Sequence, residues 1–219
     1  MTALPTLHCH WVRDGAPSLL VLLPGAYIRP GDFLTQGFPD AVAHAGQHLD
    51  LCFVDLDLEQ ISGGQALAAL HEQILAPARS SHTRVWLGGI SLGGLLSLCY
   101  AADYPGQVDG LCLLAPYPGS RITTRTIASA GGLQHWQADA EALQDPEFRV
   151  WHWLRSPPPD LPVFVGYGRE DRFASGMDEL AGCFPPDCCA RVSGGHDWSA
   201  WRPLWAQFLA RAPFPRLDN

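Results

Sequence analysis

The sequence predicts a doubly wound α/β domain: a mostly parallel sheet flanked by helices, with a small helical cap. Short, continuous apolar runs recur along the chain, helix-like stretches separate them, and most of the runs stop at a Gly, Pro or Asp turn. Strands covered on both faces of a parallel sheet read as unbroken apolar runs rather than as alternation. Strand and helix in regular alternation imply parallel neighbours and crossover helices. A chain of 219 residues with a hydrophobic fraction of 47% suits one domain with a large core.

The elements follow in order. Residues 7–12 alternate, as an edge strand does. Leu19-Leu20-Val21-Leu22-Leu23 is the first core strand and ends at Pro24-Gly25. A helix over 39–45 opens on Pro39, which suits an early helical position. Leu51-Cys52-Phe53-Val54 is the next strand and stops at Asp55. Residues 65–75 place Leu67, Leu70, Ile74 and Leu75 at helical spacing. Val85-Trp86-Leu87 leads into Gly88-Gly89, and the helix over 92–102 ends at Asp103-Tyr104-Pro105-Gly106. Leu111-Cys112-Leu113-Leu114 ends at Ala115-Pro116. The rhythm then breaks for residues 117–160, a connection of the length that forms lids and binding loops. It carries Trp136, Trp151 and Trp153, with helical pieces expected over 133–143 and 146–154, and reads as a cap inserted in a single domain spanning 1–219. Pro157-Pro158-Pro159 delivers the chain stiffly into Val163-Phe164-Val165. Ala190-Arg191-Val192 closes the far edge of the sheet. Trp201, Leu204, Trp205, Phe208 and Leu209 form the apolar face of a last helix.

Composition excludes several chemistries. The 14 basic residues are all Arg, against 22 acidic ones, for a net charge of −8. Without Lys there is no Schiff-base or P-loop chemistry. Without a basic stripe, nucleic acid and anionic membrane surfaces are not expected partners. The acidic balance also disfavours strongly anionic substrates unless Arg121, Arg125 or another Arg locally reverses the field. The opening residues hold no basic segment followed by an apolar run, so no signal peptide is expected, and the run 19–23 is far short of the roughly 20 residues that span a bilayer. A cytoplasmic protein without membrane insertion is expected. The seven Cys include no C-x-x-C pair and are expected as reduced thiols, with Cys52, Cys99 and Cys112 in apolar runs.

Gly89-Ile90-Ser91-Leu92-Gly93 carries the strongest chemical signal. It joins a strand to a helix. A nucleophile on so tight a turn is forced outward, and small residues two positions to either side let the backbone turn. A serine hydroxyl needs a base, and the base needs an acid to fix its tautomer. Asp171 follows the strand over 163–165 and is the expected acid, with Glu170 beside it and Asp178 and Asp187 farther off as alternatives. His196 follows the last strand and is the expected base. The order nucleophile, acid, His is the one such sheets use. Two backbone amides should hold the oxyanion. Leu92 supplies one; the loop Pro24-Gly25-Ala26-Tyr27 supplies the other, from Ala26 or alternatively Tyr27.

With these motifs the sequence resembles the α/β-hydrolase superfamily over nearly its whole length. The elbow Gly-Ile-Ser-Leu-Gly-Gly and the ending Gly195-His196-Asp197-Trp198 resemble those of small carboxylesterases and thioesterases. The chain departs from many members in having Pro24-Gly25 where they have His-Gly, and in having one strand-like run before Leu19 where a hairpin is usual. The resemblance implies a serine hydrolase that cleaves a small or medium ester or thioester through an acyl-enzyme on Ser91, with Asp171 as acid, His196 as base and no cofactor or metal. A Ser rather than an Asp nucleophile sets aside dehalogenase and epoxide hydrolase chemistry. Tyr27, Trp136 and Trp198 are the expected pocket residues. Acyl transfer through the same residues, and a non-catalytic binding protein on the same fold, are the alternatives.

Weaker signals read as structural. His8 and His10 share one face of an edge strand without a completing ligand set. Ser62-Gly63-Gly64 is a helix start rather than a phosphate cradle. Cys183, Cys188 and Cys189 have no His at ligand spacing. Asp55 and Asp57, past the end of a core strand, either shape the pocket floor or are solvated.

Overall fold

The computed structural model describes residues 4–56, 64–212 and 214–216. Among the described residues the sheet has seven strands: β1 (His8–Val12), β2 (Ser18–Leu23), β3 (Asp50–Asp55), β4 (Arg84–Ile90), β5 (Leu111–Leu114), β6 (Val163–Gly168) and β7 (Cys189–Val192). Their spatial order is β1-β3-β2-β4-β5-β6-β7. Only β1 runs antiparallel, with Trp11 opposite Cys52; all other neighbours are parallel. β2, β5 and β6 are buried at every position, as unbroken apolar runs require. β1 exposes His8 and His10 and turns Cys9, Trp11 and Val12 partly inward, as an edge strand should.

The helices are α1 (Pro30–Thr35), α2 (Phe38–His44), α3, α4 (Leu92–Asp103), α5 (Arg121–Ser129), α6 (Pro146–Trp153), α7 (Ala174–Ala181) and α8 (Trp198–Arg211). α3 is a continuous helical stretch in which a π-helical turn, His71–Leu75, separates Ala66–Leu70 from Ala76–Ala78. α4 lies behind β4 and is buried along most of its length, so it carries no polar face. α8 turns Trp201, Leu204, Trp205, Phe208 and Leu209 into the core. The Trp205 indole stacks on Phe38 at 4.8 Å and donates to the Phe38 carbonyl, joining α8 to α2.

The connection over 117–160 holds α5 and α6. α6 packs against α4, and the Trp151 indole N–H donates to the Pro118 carbonyl at 2.8 Å. The helix expected over 133–143 is not there: the stretch runs as turns with a single 3-10 turn, Ala142–Gln144. Gly131 and Gly132 enter it at φ 89° and 95°, and of its residues only Trp136 is buried. With no apolar stripe to pack, a helix there has nothing to stabilise it. Asp57, Ser62 and Gly63 lie outside the described residues.

Candidate active site

The parallel strands end together at one edge of the sheet, and the loops leaving that edge carry the site. β4 ends at Ile90, and α4 begins at Leu92. Ser91 makes the whole turn between them, at φ 53° and ψ −113°. That conformation is costly for a residue with a side chain, and it turns the hydroxyl out of the sheet. Neighbouring backbone fixes it: the Ser91 N–H donates to the Leu114 carbonyl at 3.0 Å, and the Tyr117 N–H donates to the Ser91 carbonyl at 2.9 Å. The flanking glycines are a steric requirement. A Cβ on Gly89 would lie 2.4 Å from the Gly93 carbonyl carbon, and one on Gly93 would lie 2.3 Å from the Leu23 oxygen. Both obstacles are backbone and cannot swing aside.

Asp171 sits on the loop after β6, with its carboxylate fully buried. Oδ1 accepts from the Phe173 N–H at 2.9 Å, and Oδ2 lies 2.5 Å from His196 Nδ1. His196, on the loop after β7, places Nε2 2.8 Å from Ser91 Oγ. An ionised carboxylate only accepts, so Nδ1 carries the proton and Nε2 is left to accept from the serine hydroxyl. Two rings hold the imidazole edge-on: Phe173 at 5.2 Å and 82°, and Trp201 at 5.4 Å and 89°. Three residues distant in sequence thus form one hydrogen-bonded line.

The alternative acids are engaged elsewhere. Glu170 Oε2 accepts from the Gly194 N–H at 2.5 Å, and its own N–H donates to the Gly194 carbonyl, so it ties the Asp171 loop to the His196 loop. Asp178 pairs with Arg191 at 2.6 Å and accepts from the Tyr167 hydroxyl. Asp187 lies at the amino end of β7, away from His196.

The loop after β2 closes a turn through the Ile28 N–H and the Gly25 carbonyl at 3.1 Å, with Tyr27 at φ 65°. A Cβ on Gly25 would lie 3.3 Å from Ser91 Cβ, so this loop rests directly on the elbow. Beyond it, Arg29 pairs with Asp55 at 2.6 Å and fastens the loop to the end of β3. Leu92, as the first residue of α4, has one of the N–H groups that helix geometry leaves without an intrahelical acceptor.

The expected pocket residues separate. Tyr27 is 89% exposed. Trp198 is half-buried and packs edge-on against Phe33, Phe38 and Trp201. Trp136 is buried and stacks on Phe148 at 5.5 Å, inside the packing of the insertion rather than at a pocket wall. Trp198 also lines a cavity of about 600 Å³ on the α2–α8 side. A separate cavity of about 310 Å³ is bounded by Tyr117 and Phe173, whose rings meet edge-on at 5.2 Å; the Phe173 ring in turn meets His196. Burial, and then the Glu147 carboxylate, hold the Tyr117 hydroxyl above its usual pKa. Both residues had a readable signal: they lie on loops just past the carboxyl ends of core strands, where open α/β sheets gather ligands. Among the described residues no group of three or more His, Cys, Asp or Glu converges as a metal site, and no helix is long and apolar enough to cross a membrane.

No family model matches the chain, and no curated protein matches it. Solved structures do. The chain is similar to an S-formylglutathione hydrolase from Staphylococcus aureus, with a TM-score of 0.60 at 12% identity, covering 95% of this chain and 82% of that one. It is similar to Est1E from Butyrivibrio proteoclasticus, solved with ferulic acid bound, with a TM-score of 0.59 at 14% identity over 93% of this chain and 94% of that one. A predicted CIB-like hydrolase from Thermoplasma acidophilum gives 0.59 at 16% identity over 94% of each chain. Identities this low speak for architecture. Together with the strand order and the single antiparallel edge, they establish that the chain has the α/β-hydrolase fold.

Proposed function

We propose that the protein is a serine hydrolase that cleaves a carboxylic ester or thioester through an acyl-enzyme on Ser91. The observation that carries this reading is the line Ser91 Oγ–His196 Nε2 at 2.8 Å and His196 Nδ1–Asp171 Oδ2 at 2.5 Å, mounted on a strained turn. Two of the similar structures are of proteins named as hydrolases, which agrees with it.

In the first half-reaction the Ser91 hydroxyl proton passes to His196 Nε2 as Oγ bonds to the substrate carbonyl carbon. The carbonyl oxygen becomes an oxyanion, held by the Leu92 amide and by the Ala26 amide of the loop resting on the elbow. The imidazolium, stabilised by the buried Asp171 carboxylate, gives its proton to the departing alkoxide or thiolate as the bond to it breaks. An acyl group remains on Ser91. In the second half-reaction water loses a proton to Nε2 and attacks the same carbon. Collapse releases the carboxylic acid and returns the proton to Ser91 Oγ. The insertion over 117–160 acts as a small cap, with Tyr117 on the substrate side. Tyr27 and Trp198 form the outer rim. No cofactor takes part.

Replacing Ser91 with Ala tests the reading. Turnover of 4-nitrophenyl acetate should fall by about 10³-fold or more while the protein stays folded. Undiminished turnover would refute the assignment.

A further inference from the structure

The cavity bounded by Tyr117 and Phe173, the ring that meets His196, has a charge unlike that of the whole chain. Its lining includes Tyr117, Thr124 and Phe173 together with Arg121, Arg172 and a single carboxylate, Glu179. In a chain of net charge −8, this is a local reversal of sign. By contrast, the cavity under Tyr104 has Asp109 and Asp160 and no cation in its lining. Among the described residues, neither Arg121 nor Arg172 forms an ion pair. Arg172 is not loosely placed, however. Its guanidinium lies over the Phe173 ring at 4.7 Å, and that ring is the one that meets His196. Arg121 opens α5, whose N-cap Ser120 is fixed by Glu147: Oε2 accepts from the Ser120 N–H at 2.7 Å and from the Thr123 hydroxyl at 2.6 Å. The Glu147 carboxylate, whose charge is felt at Tyr117, is thus held by these two donors and does not line the cavity. The volume, about 310 Å³, is at the small end for ligand sites and suits a short polar group.

We propose that this cavity is an anion subsite, and that the substrate carries a carboxylate or similar oxyanion on the part remote from the scissile bond. The proposal rests on the esterase reading and adds a substrate class to it. Tyr117 adjoins the elbow, because its N–H donates to the Ser91 carbonyl. Tyr117 and Phe173, which touch Ser91 and His196, also line the cavity that carries Arg121 and Arg172, so a substrate arm directed past this pair would meet the guanidinium groups. Guanidinium forks match carboxylate geometry, and charge-assisted hydrogen bonds are the stronger kind.

The experiment compares matched esters. Mono(4-nitrophenyl) glutarate against 4-nitrophenyl valerate puts the anion on the acyl side. 4-Acetoxybenzoate against its methyl ester puts it on the leaving group. For each pair the readout is the anionic-to-neutral ratio of kcat/KM. In the Arg121→Gln/Arg172→Gln double variant this ratio should fall about tenfold for the pair whose anion reaches the cavity. Glu179→Gln should raise the same ratio, a change of sign that general damage to the fold would not produce. Added salt should lower the ratio in the unmodified protein. Ratios unmoved by both variants in both pairs would overturn the proposal. If the unmodified protein hydrolyses none of the four esters, the esterase reading fails instead. The subsite is then judged by calorimetric binding of monomethyl glutarate to Ser91→Ala: loss of binding in the double Arg background supports it, and unchanged or absent binding overturns it.

Discussion

Asp171→Asn is the sharpest perturbation of the hydrogen-bonded line, because it changes a proton and almost no volume. The Asn Oδ1 can still accept from the Phe173 N–H, now 2.9 Å from Asp171 Oδ1, so the loop should hold its shape. The Asn Nδ2 then faces His196 Nδ1 across the 2.5 Å contact. Both atoms would be donors in the productive tautomer. The imidazole escapes by moving its proton to Nε2, which now points a hydrogen at Ser91 Oγ, 2.8 Å away, and can no longer accept one. Stabilisation of the imidazolium by a buried carboxylate is lost as well. Together these should lower kcat/KM by about 10³–10⁴-fold, or about 4–5.5 kcal/mol of transition-state stabilisation. The assay is 4-nitrophenyl acetate hydrolysis beside the rate of fluorophosphonate labelling, with Tm as a control. Adding Ser91→Ala to this variant should cost far less than it does alone, because residues acting as one unit are not additive. Activity within threefold of the unmodified protein would show that Asp171 does not act as the acid. So would an equal loss in Glu170→Gln, which would give the acid's role to Glu170.

Gly93→Ala would set a Cβ 2.3 Å from the Leu23 oxygen and 2.7 Å from the Pro24 oxygen, both backbone, so it should destabilise by about 1–3 kcal/mol and lower Tm and activity together. Gly25→Ala meets Ser91 Cβ and the Ile90 oxygen at 3.3 Å; it should lower kcat with a much smaller change in Tm, because the crowding falls on the elbow. Asp50, at the other end of the sheet, predicts a pH dependence of stability. Burial, its largest single influence, pushes its pKa up, but the Asp14 and Ala16 N–H groups and His82 together outweigh burial and leave it lowered. A lowered folded-state value means that the unfolded chain takes up this proton first. The stabilisation is therefore present above about pH 4 and lost as pH falls through the folded-state value. Asp50→Asn should cost about 1–3 kcal/mol in urea unfolding at neutral pH and flatten the acid limb; an unchanged acid limb would contradict the assignment.

The strands of this protein are legible because burial on both faces leaves a mark that needs no partner to interpret. Leu19 through Leu23 are all buried, and all read as one apolar run. The convergence of Ser91, His196 and Asp171 was legible for a related reason. A tight turn at Ser91 demands small residues at fixed offsets, and the loops after β6 and β7 must carry whatever answers it. Helices that bury little were not legible. α5 buries only Thr123 and Ile127, and α1 only Phe33, so neither has an apolar stripe. The stretch 133–143 misled in the opposite sense: Ala and Leu favour helix locally, but only Trp136 finds a core to enter. The pocket was the least legible part. Tryptophan in an insertion suggests a binding wall, yet Trp136 and Trp151 serve its packing. The rings that adjoin His196 belong to Phe173, whose backbone also caps Asp171, and to Trp201 on α8. Those relations exist only once three loops have met.

An acyl-enzyme on Ser91 can be trapped and located directly. The protein is mixed with excess 4-nitrophenyl acetate, quenched in acid within milliseconds, digested and mapped by mass spectrometry. A burst of 4-nitrophenol and one acetyl group on the peptide containing Ser91 are expected, absent in Ser91→Ala and persistent when His196→Ala is acylated slowly. Hydrolysis with no acyl group on Ser91, or acylation mapped to another residue, would contradict an acyl-enzyme on Ser91.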